Sequence, residues 1–321
     1  MIPALALIAG LTGLLWGADR FVYGAAGAAR NLGIAPMVIG LTVVSIGTSA
    51  PEIIVSVNAA LQNAGELAVG NALGSNLANI GLVLGITALV APLPVQRHLL
   101  REEGPVLLLV TALAGAMLFN AVLGRAEALL LVLIIAPLLW ITVKYKKAHP
   151  DPELVDSTSD VPKIGNGPAV LWFVVGLGIL LVSSELTVWS AKTIAVHFGV
   201  SELIIGLTVV AIGTSLPELA ASVISAIKGH HEIAIGNVIG SNLFNILAVM
   251  GAAGVIAPLQ LSPEVFARDF VSMALLTVLM MVAVALAVTR KQPGHPARVG
   301  RGWGALLLAL YAGYFVWLFG I

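Results

Sequence analysis

The chain has 321 residues, 59% hydrophobic and only 10% charged, with 16 Lys and Arg balancing 16 Asp and Glu. Soluble domains carry roughly 25% charged residues, so this composition excludes a water-covered globule, and the zero net charge gives no basic field for nucleic acid. Cysteine is absent, which excludes disulfides and thiolate metal centres.

A spanning helix needs roughly 20 apolar residues. Ten such stretches follow one another, at about 3–29, 36–60, 69–90, 104–122, 126–143, 168–194, 202–227, 235–256, 269–289 and 303–321. The first lacks the basic start of a signal peptide and has a counterpart in mid-chain, so it reads as a retained helix. The longest connection runs from Lys144 to Gly167 and is rich in Lys, Asp, Pro and Ser. It divides the chain into 1–143, a linker at 144–167, and 168–321, with five predicted spans on each side.

The two sides repeat one another. Residues 40–61 read GLTVVSIGTSAPEIIVSVNAAL and residues 206–227 read GLTVVAIGTSLPELAASVISAI, identical at 14 of 22 positions at an offset of 166. NALGSNLANI at 71–80 aligns at the same offset with NVIGSNLFNI at 237–246, seven of ten identical. An odd number of spans in each half inserts the second upside down. The predicted fold is therefore an all-α membrane protein of ten transmembrane helices in two inverted five-helix repeats, an architecture transporters use with the binding site where the repeats meet.

Each repeat places a glutamate, Glu52 or Glu218, directly after a proline in an apolar helix. A carboxylate there is costly. Pro51 has no N–H, so the carbonyl of Gly47 loses its helical partner and the helix breaks or kinks between them. A freed carbonyl in a bilayer takes a cation, a water or a neighbouring hydroxyl. Ser45, Thr48 and Glu52 share one helical face. Ala211, Gly213, Thr214, Ser215, Pro217 and Glu218 repeat the arrangement. The following helices carry polar stripes at four-residue steps: Asn71, Ser75 and Asn79, then Asn237, Ser241 and Asn245. Asn76 and Asn242 lie off the stripes, and Asn71 and Asn237 read equally well as capping or interfacial residues. Pooled, the donors are all oxygen or amide, with no thiol or imidazole. That is hard-cation chemistry: calcium takes about 6–8 oxygens, and magnesium wants a tighter octahedron. Sodium fits the same cage, and two ions competing for it give antiport. Taken singly, each Ser, Thr or Asn is interhelical glue, and Gly40, Gly70, Gly74, Gly206, Gly236 and Gly240 permit close packing. Asp19 can pair with Arg20, and Glu185 can line a vestibule.

GTSAPE with GSNLAN, and GTSLPE with GSNLFN, resemble the paired repeats of the sodium/calcium exchanger family, in its small prokaryotic form. The resemblance runs end to end. It implies Glu52 and Glu218 as central calcium ligands, with Thr48 and Thr214 contributing backbone oxygens. It implies sodium sites built from the carbonyls of Ser45 and Ala211 with Ser49, Ser215, Ser75 and Ser241, and Asn79 and Asn245 completing the set. It also implies alternating access by sliding of the first and sixth helices. One departure stands out: some members carry an aspartate at the position of Asn245, so here two carboxylates remain rather than three.

The expected activity is export of calcium against sodium entry, with Ca2+ and Na+ as substrates, no cofactor, no obligate protein partner and no enzymatic step. Proton/calcium or potassium-dependent exchange is the alternative on the same fold. A passive channel or an intramembrane enzyme is the remote one, since no HExxH helix occurs and no histidine lies deep in a span. The expected location is the plasma (inner) membrane. With the N-terminus outside, twelve Lys and Arg fall at cytoplasmic ends and three, Arg125, Lys192 and Arg268, at outer ends. Both termini are then outside. A reporter active only in the cytoplasm is expected to stay silent when fused to the C-terminus; a signal would reverse the orientation.

Overall fold

The computed structural model describes residues 2–148, 163–199, 211–290 and 296–319. Most of the predicted linker and the start of the predicted seventh span lie outside them. The described chain is helical throughout, apart from two antiparallel ladders two residues long. Its helices are α1 (Ile2–Leu32), α2 (Pro36–Thr48), α3 (Ala50–Leu61), α4 (Gly65–Val90), α5 (Gly104–Leu118, entered through a π-helical turn, Leu99–Glu103), α6 (Arg125–Ala148) and α7 (Asn166–His197). After the break follow α8 (Ala211–Thr214), α9 (Leu216–Ile227), α10 (His231–Ile256), α11 (Val265–Thr289) and α12 (Arg301–Phe319).

Among the described residues seven helices are long and apolar enough to cross a membrane, and the bent pair α2 and α3 makes an eighth. Two of the ten predicted spans fall short of that standard. The approach to α5 carries Arg101, Glu102 and Glu103, and the seventh is described only from Ala211. Boundaries shift by a few residues elsewhere: α4 and α10 each begin four residues earlier than expected, and α6 takes the first residues of the linker.

The chain forms two compact units that do not coincide with the sequence halves. One comprises Met1–Pro51 with Thr142–Asn237, the other Glu52–Ile141 with Val238–Ile321. Each unit therefore draws on both repeats, and the borders fall inside α3, α6 and α10.

In the first unit α1 lies along α7, its repeat counterpart. A Cβ on Gly10 would meet Thr187, one on Gly17 would meet the Leu180 backbone, and one on Gly24 would run into the Phe173 backbone nitrogen. The partners fall as the glycine number rises, so the helices run antiparallel. The glycines recur every seven residues and let the backbones touch, a contact driven by packing rather than by water release. From the other side Gly176 faces the Phe21 backbone. Phe21, Ala18, Val22 and Ala25 fill the core with Leu180, Ala221 and Ile233. Asp19 pairs with Lys228 at the end of α9 (2.6 Å) and more loosely with Arg20 (3.7 Å). The Arg20 guanidinium lies over Trp16 and Trp172, 5.7 and 5.0 Å from the ring centroids, a favourable cation–π arrangement. The Gly40 and Gly236 backbones also meet directly, as expected for small packing residues. Gly70 and Gly74 do not fit that expectation, since a Cβ on either would meet nothing within 4 Å.

In the second unit α12 packs on α4, where Gly81 admits Tyr311 and Gly85 admits the Gly304 carbonyl. The ladders join Leu93 to Val299 and Leu123 to Leu259, tying connectors of the first half to those of the second. His98 and Glu103 form a buried pair, Nδ1 to Oε2 3.0 Å, across the turn that enters α5.

Overfilling a backbone contact costs about 1–3 kcal/mol. Gly24→Leu is therefore expected to lower the thermal unfolding midpoint of the purified protein. Gly178→Leu, on α7 with open space at its Cβ, is expected to leave it unchanged.

Candidate functional site

The predicted breaks are present and centred on the serines. α2 stops at Thr48, Ser49 takes φ −84° and ψ 9°, and α3 leaves at 47° to α2. Ser215 adopts nearly the same angles, φ −89° and ψ 4°, between α8 and α9. That is the sparsely populated bridge region, where functional residues recur. Pro51 and Pro217 sit in the first turn of the new helix, where a missing N–H costs nothing. Each following glutamate is 1% exposed. The carbonyl freed by Pro217 has taken a hydroxyl: Ser184 Oγ donates to Gly213 O at 3.0 Å. At the offset of 166 the counterpart of Ser184 is Ala18, so the first repeat lacks this donor.

In the first unit the glutamate is held from several directions. Ser49 Oγ donates to Glu218 Oε1 at 2.9 Å. Asn237 Nδ2 donates to the Glu218 carbonyl (3.3 Å) and to Ser222 Oγ (3.0 Å), and its Oδ1 accepts from Thr48 Oγ1 (3.2 Å). The hydroxyls of Thr48 and Ser45 also donate back to carbonyls of their own helix, Val44 and Leu41. Among the described residues the second oxygen of Glu218 and the hydroxyl of Ser215 are buried with no hydrogen-bond partner. Thr214 is half-buried.

The second unit repeats the brace. Asn71 Nδ2 donates to the Glu52 carbonyl (3.0 Å) and to Ser56 Oγ (2.9 Å). Ser75 and Ser241 are buried, as are Asn79 and Asn245. The last two each open a π-helical stretch, Asn79–Leu84 in α4 and Asn245–Met250 in α10, and such turns mark functional sites. Asn76 Nδ2 donates to the Asn242 carbonyl (3.2 Å), and Asn245 Nδ2 donates to Asn76 Oδ1 (3.0 Å). Both amide atoms of Asn79, the Asn245 oxygen and the Ser241 hydroxyl are buried without a hydrogen-bond partner among the described residues. Native interiors leave few such atoms. A bound cation would relieve those on the predicted stripes.

The sequence profile described as sodium/calcium exchanger protein matches residues 2–144 and 168–320, nearly the whole chain. The chain belongs to the sodium/calcium exchanger family. CaxA of Alkalimonas amylolytica is 46% identical to this exchanger over 99% of each chain, and inner membrane protein YrbG of Escherichia coli is 41% identical over 97% of this chain and 94% of its own. Among solved structures, the sodium-calcium exchanger NCX_Mj superposes with a TM-score of 0.83 at 31% identity, covering 98% of both chains. The exchanger is thus a multi-pass membrane protein of a cation-transporting family.

Four buried residues of this exchanger escaped the sequence reading. Ser56 and Ser222 receive the Asn71 and Asn237 amides; their equivalence in the 14 identical positions was the available signal. Asn76 and Asn242 lie off the stripe, yet both are fully buried. Asn71 and Asn237 turn out to be braces for the glutamate backbones rather than caps. Asp19 does pair with Arg20, but its closer partner is Lys228. Glu185 is exposed on α7. Removing an amide brace takes away two buried hydrogen bonds, each worth about 0.5–1.5 kcal/mol. Asn71→Leu and Asn237→Leu are each expected to lower the unfolding midpoint in detergent. Asn58→Leu, on the exposed side of α3, is the control expected to leave it in place.

Proposed function

We propose that this exchanger is a secondary antiporter that exports calcium, driven by sodium entry, through alternating exposure of one shared cation site. Its ten spans are arranged as two inverted repeats, 1–143 and 168–321, joined by a cytoplasmic linker at 144–167, with both termini outside. The antiparallel run of α1 against its counterpart α7 supports the inversion. The relative named as an inner membrane protein supports that location, and the match to a sodium-calcium exchanger supports the ion pair.

The observation that carries the reading is the buried glutamate at a broken helix, present twice, with a carboxylate oxygen of Glu218 left without a hydrogen bond. An ionised carboxylate in that setting requires a cation. Glu52 and Glu218 neutralise one Ca2+. Thr48 and Thr214 add backbone oxygens, and Asn79 and Asn245 add amide groups. Ser45, Ala211, Ser49, Ser215, Ser75 and Ser241 supply the sodium positions. Three sodium ions entering per calcium would carry one net charge inward, worth about 2.3 kcal/mol per 100 mV of membrane potential.

A second reading couples calcium to protons, or adds potassium. It is favoured by the neutral amides at 79 and 245, which leave only two ionisable groups in the set. Calcium uptake into inside-out vesicles separates the two. Uptake is expected under an imposed sodium gradient and not under a proton gradient without sodium. Glu52→Gln and Glu218→Gln are each expected to abolish it, and normal uptake by either variant would remove that glutamate from the site.

A further inference from the structure

We infer that Asn76 is a positioning residue: its carboxamide, anchored on the Asn242 carbonyl, locks the Asn245 amide so that Asn245 presents its oxygen, and not its nitrogen, to the transported cation. The inference rests on the antiporter reading above.

The polarity runs in one direction from a group that has no choice. A backbone carbonyl only accepts. The Asn242 carbonyl takes a hydrogen bond from Asn76 at 3.2 Å, so the Asn76 nitrogen faces it. The Asn76 oxygen is then fixed on the other branch of the carboxamide, where it accepts from Asn245 Nδ2 at 3.0 Å. That bond in turn fixes Asn245. Turning its amide over would set oxygen against oxygen. Asn76, Asn242 and Asn245 are at most 1% exposed, so water is not at hand to relieve the clash. What remains is the Asn245 oxygen, buried and without a hydrogen-bond partner among the described residues. An amide oxygen held outward is a neutral ligand for a hard cation; an amide nitrogen in its place would repel one.

The two repeats differ here. Asn242, the counterpart of Asn76, spends its amide nitrogen on the Val238 carbonyl of its own helix (2.7 Å). Asn79, the counterpart of Asn245, has neither amide atom hydrogen-bonded among the described residues. The chain thus fixes one asparagine of the pair and leaves the other to turn. Asn245 occupies the position where a carboxylate would present oxygen whichever way it rotated. With an amide, that certainty has to come from a neighbour, and Asn76 provides it.

The test is calcium titration of the purified full-length protein, with no transport required. Asn76→Leu keeps the volume and removes the acceptor; it is expected to weaken calcium binding about tenfold or more. A carboxylate needs no orienting, so in an Asn245→Asp background the same Asn76→Leu change is expected to alter affinity by less than about twofold. A purely structural role for Asn76 would give equal losses in both backgrounds, and that result, or unchanged binding by Asn76→Leu, overturns the inference. Should Asn76→Leu not fold, Asn76→Ala decides: it removes the same acceptor with a smaller side chain and is expected to weaken calcium binding about tenfold or more beside Asn245 and by less than about twofold in the Asn245→Asp background, and unchanged binding or equal losses in both backgrounds would overturn the proposal. Glu218→Gln, titrated alongside, separates the two levels. Retained binding there removes the site itself, whereas lost binding there with intact binding in Asn76→Leu removes only the role of Asn76.

Discussion

Inside a bilayer no water stands ready to satisfy a backbone or side-chain polar group, and most of this structure follows from that. A helix solves the problem internally until a proline removes a donor. Pro51 and Pro217 do so here, each one residue before a buried carboxylate. The consequences spread outward from those two points. Carbonyls must find hydroxyls, as Gly213 finds Ser184. Glutamate backbones must be braced, as Asn71 and Asn237 brace them. Polar atoms of Ser215, Glu218, Asn79, Ser241 and Asn245 on those helices still lack a hydrogen-bond partner among the described residues. A fold that left them for nothing would be carrying a penalty of about 1–3 kcal/mol for each.

The repeats give this arrangement an approximate symmetry that the side chains break in detail. Ser184 caps a freed carbonyl in one half, where the other has Ala18. Asn76 reaches across to another helix, while Asn242 bonds back into its own. Lys228 meets Asp19, whereas the residues at their offset positions are Gln62 and Glu185. An antiporter works between unlike compartments, so identical halves are not what its task asks for. The repeats share their skeleton, and the departures lie in single side chains.

Much of this was legible in the chain because it is written as local chemistry. Proline before glutamate in an apolar run gives the break and the costly charge, and the structure centres the break on Ser49 and Ser215, inside the expected stretch. Duplication at a fixed offset gives the counterpart helices. The stripe through Asn71, Ser75 and Asn79 is helical period alone. Asn76 was not legible for a physical reason. A stripe drawn at regular pitch ranks residues by the face they occupy, but Asn79 and Asn245 begin π-helical turns, and the value of Asn76 lies in a bond to another helix. Nor does sequence order foretell the two compact units, whose borders cut α3, α6 and α10. Contacts decide that, and a helix belongs to whatever its faces touch.

The glycine row of α1 constrains more than residue identity. Each residue added to a helix turns everything beyond it by about 100°. One residue inserted between Gly10 and Gly24 would swing part of the row off α7 and bring side chains against its backbone. Seven residues inserted would nearly restore the phase, missing it by only about 20°. The stretch therefore tolerates length changes in steps of a heptad and in little else. Its spacing acts as a unit, set by the backbone it touches on α7.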